Sequence, residues 1–290
     1  MKRILLSFVL MLSMSQLMWA SGITYERSDS LFVCNLLATS RLQPSSVCLP
    51  LFFARQFLGR PYVAHTLEVN DSERLVVNTR QLDCTTLVEN VTALTLCARN
   101  GRYSFSDFLQ TLQTLRYRDG ILDGYTSRLH YFSDWILDKQ RMGLVQEIQS
   151  PNPPFAGLQQ LDINYMSSHT DAYKALKARP RLVSEIRRQE QLLTGKRFRY
   201  IPKRAVRNTR LLRQTIHDGD IIAITCNVAG LDIAHLGFAV WRGDGLHLLN
   251  ASSVHHKVVD EPMTLYTYLK KHRSHTGIRI VRIRKDNINQ

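Results

Sequence analysis

The 290-residue sequence contains no H-E-x-x-H, no internal repeat and no second stretch with a composition of its own. The first absence removes the helix-borne zinc-protease signature, and the other two remove solenoids and strings of modules. Past the first twenty residues no apolar run is long enough to span a bilayer. Low-complexity tracts are few, and glycine and proline stand at 14 and 9, so neither a disordered nor a fibrous chain fits. Cysteine is scarce and odd in number: residues 34, 48, 84, 97 and 226. At least one thiol is therefore unpaired or paired between chains. What remains, at 44% hydrophobic residues, is enough to bury a sizeable core.

The first residues are set apart from that core. Lys2 and Arg3 precede an apolar stretch from Ile4 to about Met14, followed by Ser15-Gln16 and the small residues Ala20-Ser21-Gly22. This is the layout of a secretory signal over residues 1–20, cleaved near 20–22. No cysteine stands near the cleavage region to carry a lipid anchor. We therefore expect a periplasmic or secreted protein in which disulfides are allowed. Cys34 and Cys48 close a short loop containing Pro44 and are the suspected pair, for about 3 kcal/mol if bonded. Cys84 and Cys97 share one expected helix, about 20 Å apart on nearly opposite faces, and cannot bridge.

Charge is concentrated in one window. The formal net charge is +14, and residues 174–213 carry fourteen Lys and Arg against Glu185 and Glu190. Such a patch attracts polyanions. For an exported chain these are anionic envelope polymers rather than nucleic acid, and a merely solvated basic face fits as well.

Periodicity divides the chain. Residues 31–58 read as helical, Leu75-Val76-Val77 as a short strand, and Leu87, Val88, Val91, Leu94 and Leu96 as a helix from Cys84 to about Arg99. A second helix covers 108–115, capped by Ser104 or Ser106, and a short one follows Ser133 or Asp134. Another spans Arg181–Leu193. From Asp218 the period becomes two, giving strands at 220–225, 233–240, 246–251, 257–259 and 278–283, with a hairpin turn at Gly243-Asp244-Gly245 and a helix near 265–271. The fold class is α+β in one domain: N-terminal helices packed on a mostly antiparallel C-terminal sheet.

Cys84 falls in the first turn of its helix, near the positive end of the dipole and unpaired N–H groups, which favour the nucleophilic thiolate. A small cysteine opening a core helix fits the same placement. On the second C-terminal strand His235 shares a face with the small Gly237 and Ala239, as if cleared for approach. On the next strand Asn250 is placed to orient its ring. Cysteine, histidine and amide form the nucleophile, base and orienter of a papain-type site. A satisfied core histidine and a strand-end asparagine would leave the same pattern.

Several motifs occur in order: Gly59-x-Pro61-Tyr62, Asp83-Cys84-Thr85-Thr86-Leu87-Val88-Glu89, Arg128-Leu129-His130-Tyr131-Phe132-Ser133-Asp134-Trp135, Gly219-Asp220-Ile221-Ile222, Gly230-Leu231-Asp232-Ile233-Ala234-His235 and Asn250-Ala251-Ser252. From about residue 59 to the C-terminus the chain resembles the NlpC-type, papain-like cell-wall cysteine peptidases, and most closely their secreted N-acetylmuramoyl-L-alanine amidase-like branch. The resemblance implies a papain-like, NlpC-like fold over 21–290, with residues 100–215 as a helical and loop insertion. It implies an exported cysteine amidase on peptidoglycan with Cys84, His235 and Asn250 as catalytic residues. Tyr62 would bind substrate and help the helix N–H groups hold the oxyanion. His130, Tyr131 and Trp135 are candidates for lining the cleft. No cofactor or metal is expected, and the partner would be peptidoglycan or a muropeptide met by a monomer. The chain departs from the wider superfamily in Thr85-Thr86, where Ser-Gly is usual, in Asn250, where histidine is frequent, and in the long 100–215 stretch.

Three alternatives stay open: a stem-peptide endopeptidase of the same fold, a zinc amidase using the cluster His247, His255 and His256, and a non-catalytic envelope binder working through 174–213.

Overall fold

The computed structural model describes residues 22–284, so the expected secretory signal lies outside the described residues. Strand β1 (Ile23–Thr24) pairs in parallel with β2 (Leu75–Val76). Between them lie α1 (Arg27–Ser40) and α2 (Leu49–Arg55). Helix α3 (Cys84–Arg99) follows, with the bounds its apolar spacing predicts, and then α4 (Phe105–Arg116), capped by Ser104. Helix α5 (Phe132–Arg141) starts one residue before the capping candidate Ser133 and two before Asp134. Its start is fixed by a distant carboxylate instead, since Asp232 Oδ2 accepts from the Ser133 N–H at 2.6 Å.

The 100–215 stretch contributes strands that its polar pattern does not announce. β3 (Val145–Ile148) and β4 (Gly157–Gln160) come first; the short helices α6 (Tyr165–Ser168) and α7 (Lys174–Ala178) precede α8 (Leu182–Leu193). β5 (Arg197–Pro202) and α9 (Arg210–Thr215) complete it. Then come β6 (Ile221–Cys226), β7 (Ile233–Trp241), β8 (Leu246–Ser252), β9 (Lys257–Asp260), α10 (Leu265–Lys271) and β10 (His275–Ile283). The large sheet has the order β4-β5-β10-β6-β7-β8-β9, with β3 also on β10, and all of these pairings are antiparallel. This is the mixed α+β chain with an antiparallel sheet that the periodicity implies.

The period-two alternation has a direct outcome in packing. Leu236, Phe238 and Val240 join the main core with α1–α5, whereas Ala239, Leu246 and Leu248 join a second core under α10. A third, smaller cluster (Tyr125, Tyr131, Leu161, Ile163, Met166, Leu176, Ile186, Leu193, Phe198) belongs to the 100–215 stretch. Ion pairs sealed inside include Arg116 Nε to Glu89 Oε2 at 2.7 Å beneath α3, Arg279 Nε to Glu147 Oε1 at 2.6 Å joining β10 to β3, and Lys139 Nζ to Asp138 Oδ2 at 2.5 Å within α5.

The suspected Cys34–Cys48 disulfide is not formed. Both are free thiols, and Cys48 Sγ turns instead toward the Asp218 carbonyl at 3.2 Å. Among the described residues no helix is long and apolar enough to cross a membrane.

Candidate active site

The first turn of α3 is fixed by a reciprocal cap. The Thr86 N–H donates to Asp83 Oδ1 at 2.8 Å, and the Asp83 N–H donates to Thr86 Oγ1 at 2.9 Å. Thr86 thus completes the cap. Cys84 is the first helical residue and is half-buried.

What Cys84 meets is an opening in the sheet. The β7–β8 ladder runs from Trp241↔Leu246 to Phe238↔Leu249 and stops there. Ala239 exchanges main-chain bonds with the β6 side, its N–H reaching Asp220 O and its carbonyl accepting from Gly219. By antiparallel alternation the Leu236 N–H points toward β8. With the ladder ended, that N–H donates to the Cys84 sulfur. The thiol therefore lies against the His235–Leu236 peptide.

Across the same opening His235 Nε2 meets Asn250 Oδ1 at 2.9 Å, with Asn250 fully buried. Gly237 permits this geometry. A Cβ there would stand 2.7 Å from Leu249 O and from Leu248 Cδ1. The space beside His235 that reads in the sequence as clearance for approach is thus filled by β8, which the glycine admits.

The electrostatics invert one expectation. Burial pushes the Cys84 thiol up to about 12, and the Asp83 carboxylate adds to the rise. The Leu236 N–H, the Thr85 hydroxyl and the cysteine's own N–H pull the other way without prevailing. Burial likewise lowers the His235 imidazole below its usual range, against the opposing hydrogen bond to Asn250 and the Glu261 charge. The helix N-terminus alone suggests a thiolate; desolvation outweighs it, and the resting pair is a neutral thiol and a neutral imidazole.

Tyr62 is held beside the thiol by main-chain bonds. Its N–H donates to His256 O at 3.0 Å, and the Leu82 N–H donates to Pro61 O at 3.1 Å, one step before Asp83. Burial first, then the nearby Cys84 and Asp83, raise its phenol.

The other cleft candidates are not at this opening. Trp135 is fully buried in the main core, stacked on Phe132 at 4.9 Å. Tyr131 is buried in the third cluster, its hydroxyl donating to Glu190 Oε1 at 2.7 Å and accepting from the Met166 N–H at 2.9 Å. Both are packed inside the protein, Trp135 in the main core and Tyr131 in the third cluster. His130 packs on Tyr125 at 4.5 Å, bonds its carbonyl through Nε2 at 2.9 Å, and is pushed down to about 3 by burial. Arg128 from the same motif lines a cavity of about 320 Å³ with Glu68, Glu73, Tyr125, Lys174 and Arg179.

Residues that sequence reasoning passed over complete the surroundings. Tyr268 faces His235 at 6.4 Å and stacks with His272 and His275. Buried Glu261 lies behind Asn250. Neither sits in a motif, and only the pairing of β8 with β9 brings Glu261 to the site. Of the histidines weighed for zinc, His247 engages Asp244 through Nε2 and Glu261 O through Nδ1, both at 2.9 Å, and His255 engages Glu261 Oε2 at 3.2 Å. Among the described residues no group of three or more His, Cys, Asp or Glu side chains is placed to hold a metal ion.

Residues 52–278 match the AmiA-like family model, described as N-acetylmuramoyl-L-alanine amidase-like. The chain belongs to that amidase-like family. Among solved structures, an N-acetylmuramoyl-L-alanine amidase from Bacteroides uniformis is 44% identical with TM-score 0.76, over 82% of this chain and 98% of that one. A Bacteroides fragilis protein described as a xylanase candidate is 43% identical with TM-score 0.74, over 80% and 99%. A Legionella pneumophila protein of the family model DUF1460, at 23% identity, shares the fold with TM-score 0.67 over 88% and 94%. No curated protein matches the chain. The amidase-like match spans Cys84, His235 and Asn250 together, and with them the whole opening between β7 and β8.

Proposed function

We propose that the protein is an exported, cysteine-dependent amidase of papain-like, NlpC-type architecture that cleaves the N-acetylmuramoyl-L-alanine bond of peptidoglycan. In this reading residues 22–284 act as one catalytic unit, with 100–215 inserted between nucleophile and base, and the protein works as a periplasmic or secreted monomer. The observation that carries it is the His235–Asn250 hydrogen bond across β7 and β8, with the Cys84 sulfur at the start of α3 against Leu236, the next residue of β7.

The chemistry follows from the resting protonation. Asn250 Oδ1 accepts from His235 Nε2–H, which leaves Nδ1 with a lone pair for the base role. As Cys84 attacks the lactyl amide carbonyl, its proton passes to Nδ1 and a C–S bond forms. Main-chain N–H groups at the start of α3, with Tyr62, hold the oxyanion. His235 then returns the proton to the departing alanine nitrogen as the C–N bond breaks. Water, deprotonated by His235, hydrolyses the thioester and restores the thiol. A neutral pair at rest means that charge separation is confined to the substrate complex.

The two Bacteroides relatives carry different activity names, and the constellation favours one of them. Glycoside hydrolysis needs two carboxyl groups facing the bond, about 5–10 Å apart. Here Asp83 is engaged in the α3 cap and Glu261 is buried behind Asn250. A thiol with an imidazole suits an amide.

The test is mass spectrometry of purified peptidoglycan digested by the mature protein, alongside Cys84→Ala and an EDTA-treated sample. Intact stem peptides released by wild type and the EDTA sample, and not by the variant, support the proposal. Cleavage within the stem moves the bond and keeps the mechanism. Loss of activity with EDTA favours the zinc alternative, and an untouched polymer in all three favours an envelope-binding role for the exposed basic 174–213 window.

A further inference from the structure

Asn250 differs from the acidic orienter of a serine-type triad in carrying no charge, and an amide can also sit in two orientations that place opposite polarity on the histidine. What decides the orientation here is on the far side of the amide. Asn250 Nδ2 donates to Glu261 Oε1 at 3.3 Å and to Leu248 O at 3.4 Å. Turning the amide over would set Oδ1 against both of these acceptors, with both side chains sealed from water: Asn250 and Glu261 are 0% and 1% exposed.

Glu261 is itself held from several directions. Its Oε2 takes the His255 ring N–H at 3.2 Å, and its main-chain N–H donates to Leu248 O at 2.9 Å. Its carbonyl accepts from His247 Nδ1 at 2.9 Å and from Arg242 at 3.5 Å. Tyr268, from α10, is the further titratable group that feels its charge.

We propose that Glu261 is a positioning residue for the reaction: it fixes the amide of Asn250 with Oδ1 toward His235, and so fixes the imidazole as the Nε2–H tautomer with Nδ1 free to take the thiol proton. Glu261 touches neither thiol nor substrate and acts through Asn250. The inference rests on His235 being the base. It also assigns the His255 side chain to the support of that carboxylate and the His247 side chain to the support of the main-chain carbonyl behind it.

The test is the tautomer itself, read by long-range ¹H–¹⁵N correlation at His235 in full-length mature protein, with muropeptide kinetics in parallel. Wild type should show Nε2–H. Glu261→Gln can offer its own NH₂ to Asn250 and release the amide to turn. It should shift His235 toward Nδ1–H and lower kcat by about tenfold to a hundredfold, the scale of outer-shell positioning partners, with KM little changed. Glu261→Asp should recover part of both. The inference is overturned by Nδ1–H in wild type, by Glu261→Gln keeping Nε2–H at whatever kcat, or by a kcat within twofold of wild type. If Glu261→Gln does not fold, the wild-type tautomer still decides. If peptidoglycan proves not to be the substrate, the spectra still report on the amide, so the two failures are separable.

Discussion

Replacing Asp83 by asparagine separates two roles of one side chain. The cap needs an oxygen acceptor for the Thr86 N–H, which the new amide retains, so stability should change by only a few tenths of a kcal/mol. The charge beside the thiol is lost. With the Cys84 thiol at about 12, roughly one molecule in ten thousand is thiolate at pH 8, against about one in ten for a cysteine at 9.0. Alkylation of wild-type Cys84 should therefore run about a thousandfold slower than that of a peptide thiol. Asp83→Asn should speed it several-fold, since the carboxylate is second only to burial among the causes of the rise. Asp83→Ala should give the same acceleration plus a loss of about 1 kcal/mol from the missing cap. The assay is timed iodoacetamide labelling at pH 6–9 with peptide mass mapping, because four other thiols must be resolved from Cys84. Labelling of wild type at pH 6 as fast as a peptide thiol would reveal a preformed thiolate–imidazolium pair and refute the reasoning. So would a slower Asp83→Asn.

The other expectations concern stability. His130 and His275 are held neutral by burial, down to about 3 and about 4, and ordinary histidines titrate near 6.5. The unfolded chain therefore takes up protons first, so stability is intact at pH 7 and falls as pH drops below about 6.5 toward those values. A Tm series from pH 7 to 5 should show that slope, and His130→Gln should flatten it. Glu89→Gln leaves the Arg116 charge buried beneath α3 and should cost about 3–5 kcal/mol in urea unfolding. Trp135→Ala should cost about 3–5 kcal/mol by core truncation and leave KM for muropeptides unchanged in the remaining folded enzyme; a raised KM would return Trp135 to the cleft.

The sequence made legible whatever local spacing controls. Helix α3 ends where its apolar period ends, and β6–β10 follow from alternation, because successive residues go to the two cores on either side of the sheet. The histidine–amide pair was readable for the same reason, since a short hairpin leaves neighbouring strands little choice of partner. The strands β3 and β4 were not. Val145-Gln146-Glu147-Ile148 and Gly157-Leu158-Gln159-Gln160 are short and polar, and become strands only by pairing with β10 and β5, which come much later in the chain. Thiol ionisation was misjudged because a dipole is visible in the sequence and desolvation is not. Trp135 and Tyr131 illustrate the same gap: an aromatic-rich motif reads as a binding surface until the partners that bury it are in place. Glu261 carries no local signal at all.

The placement of β10 sets the order in which the large sheet can close. The last strand of the described chain is an inner one, bonded to β3, β5 and β6, and all three wait for the same partner. Until it arrives, β6 lacks one neighbour and the β6–β7–β8 platform bearing His235 and Asn250 stands at an open edge. These long-range pairings favour slow closure after synthesis rather than during it. Delivery of β10 is what gives the platform bearing His235 and Asn250 its missing neighbour.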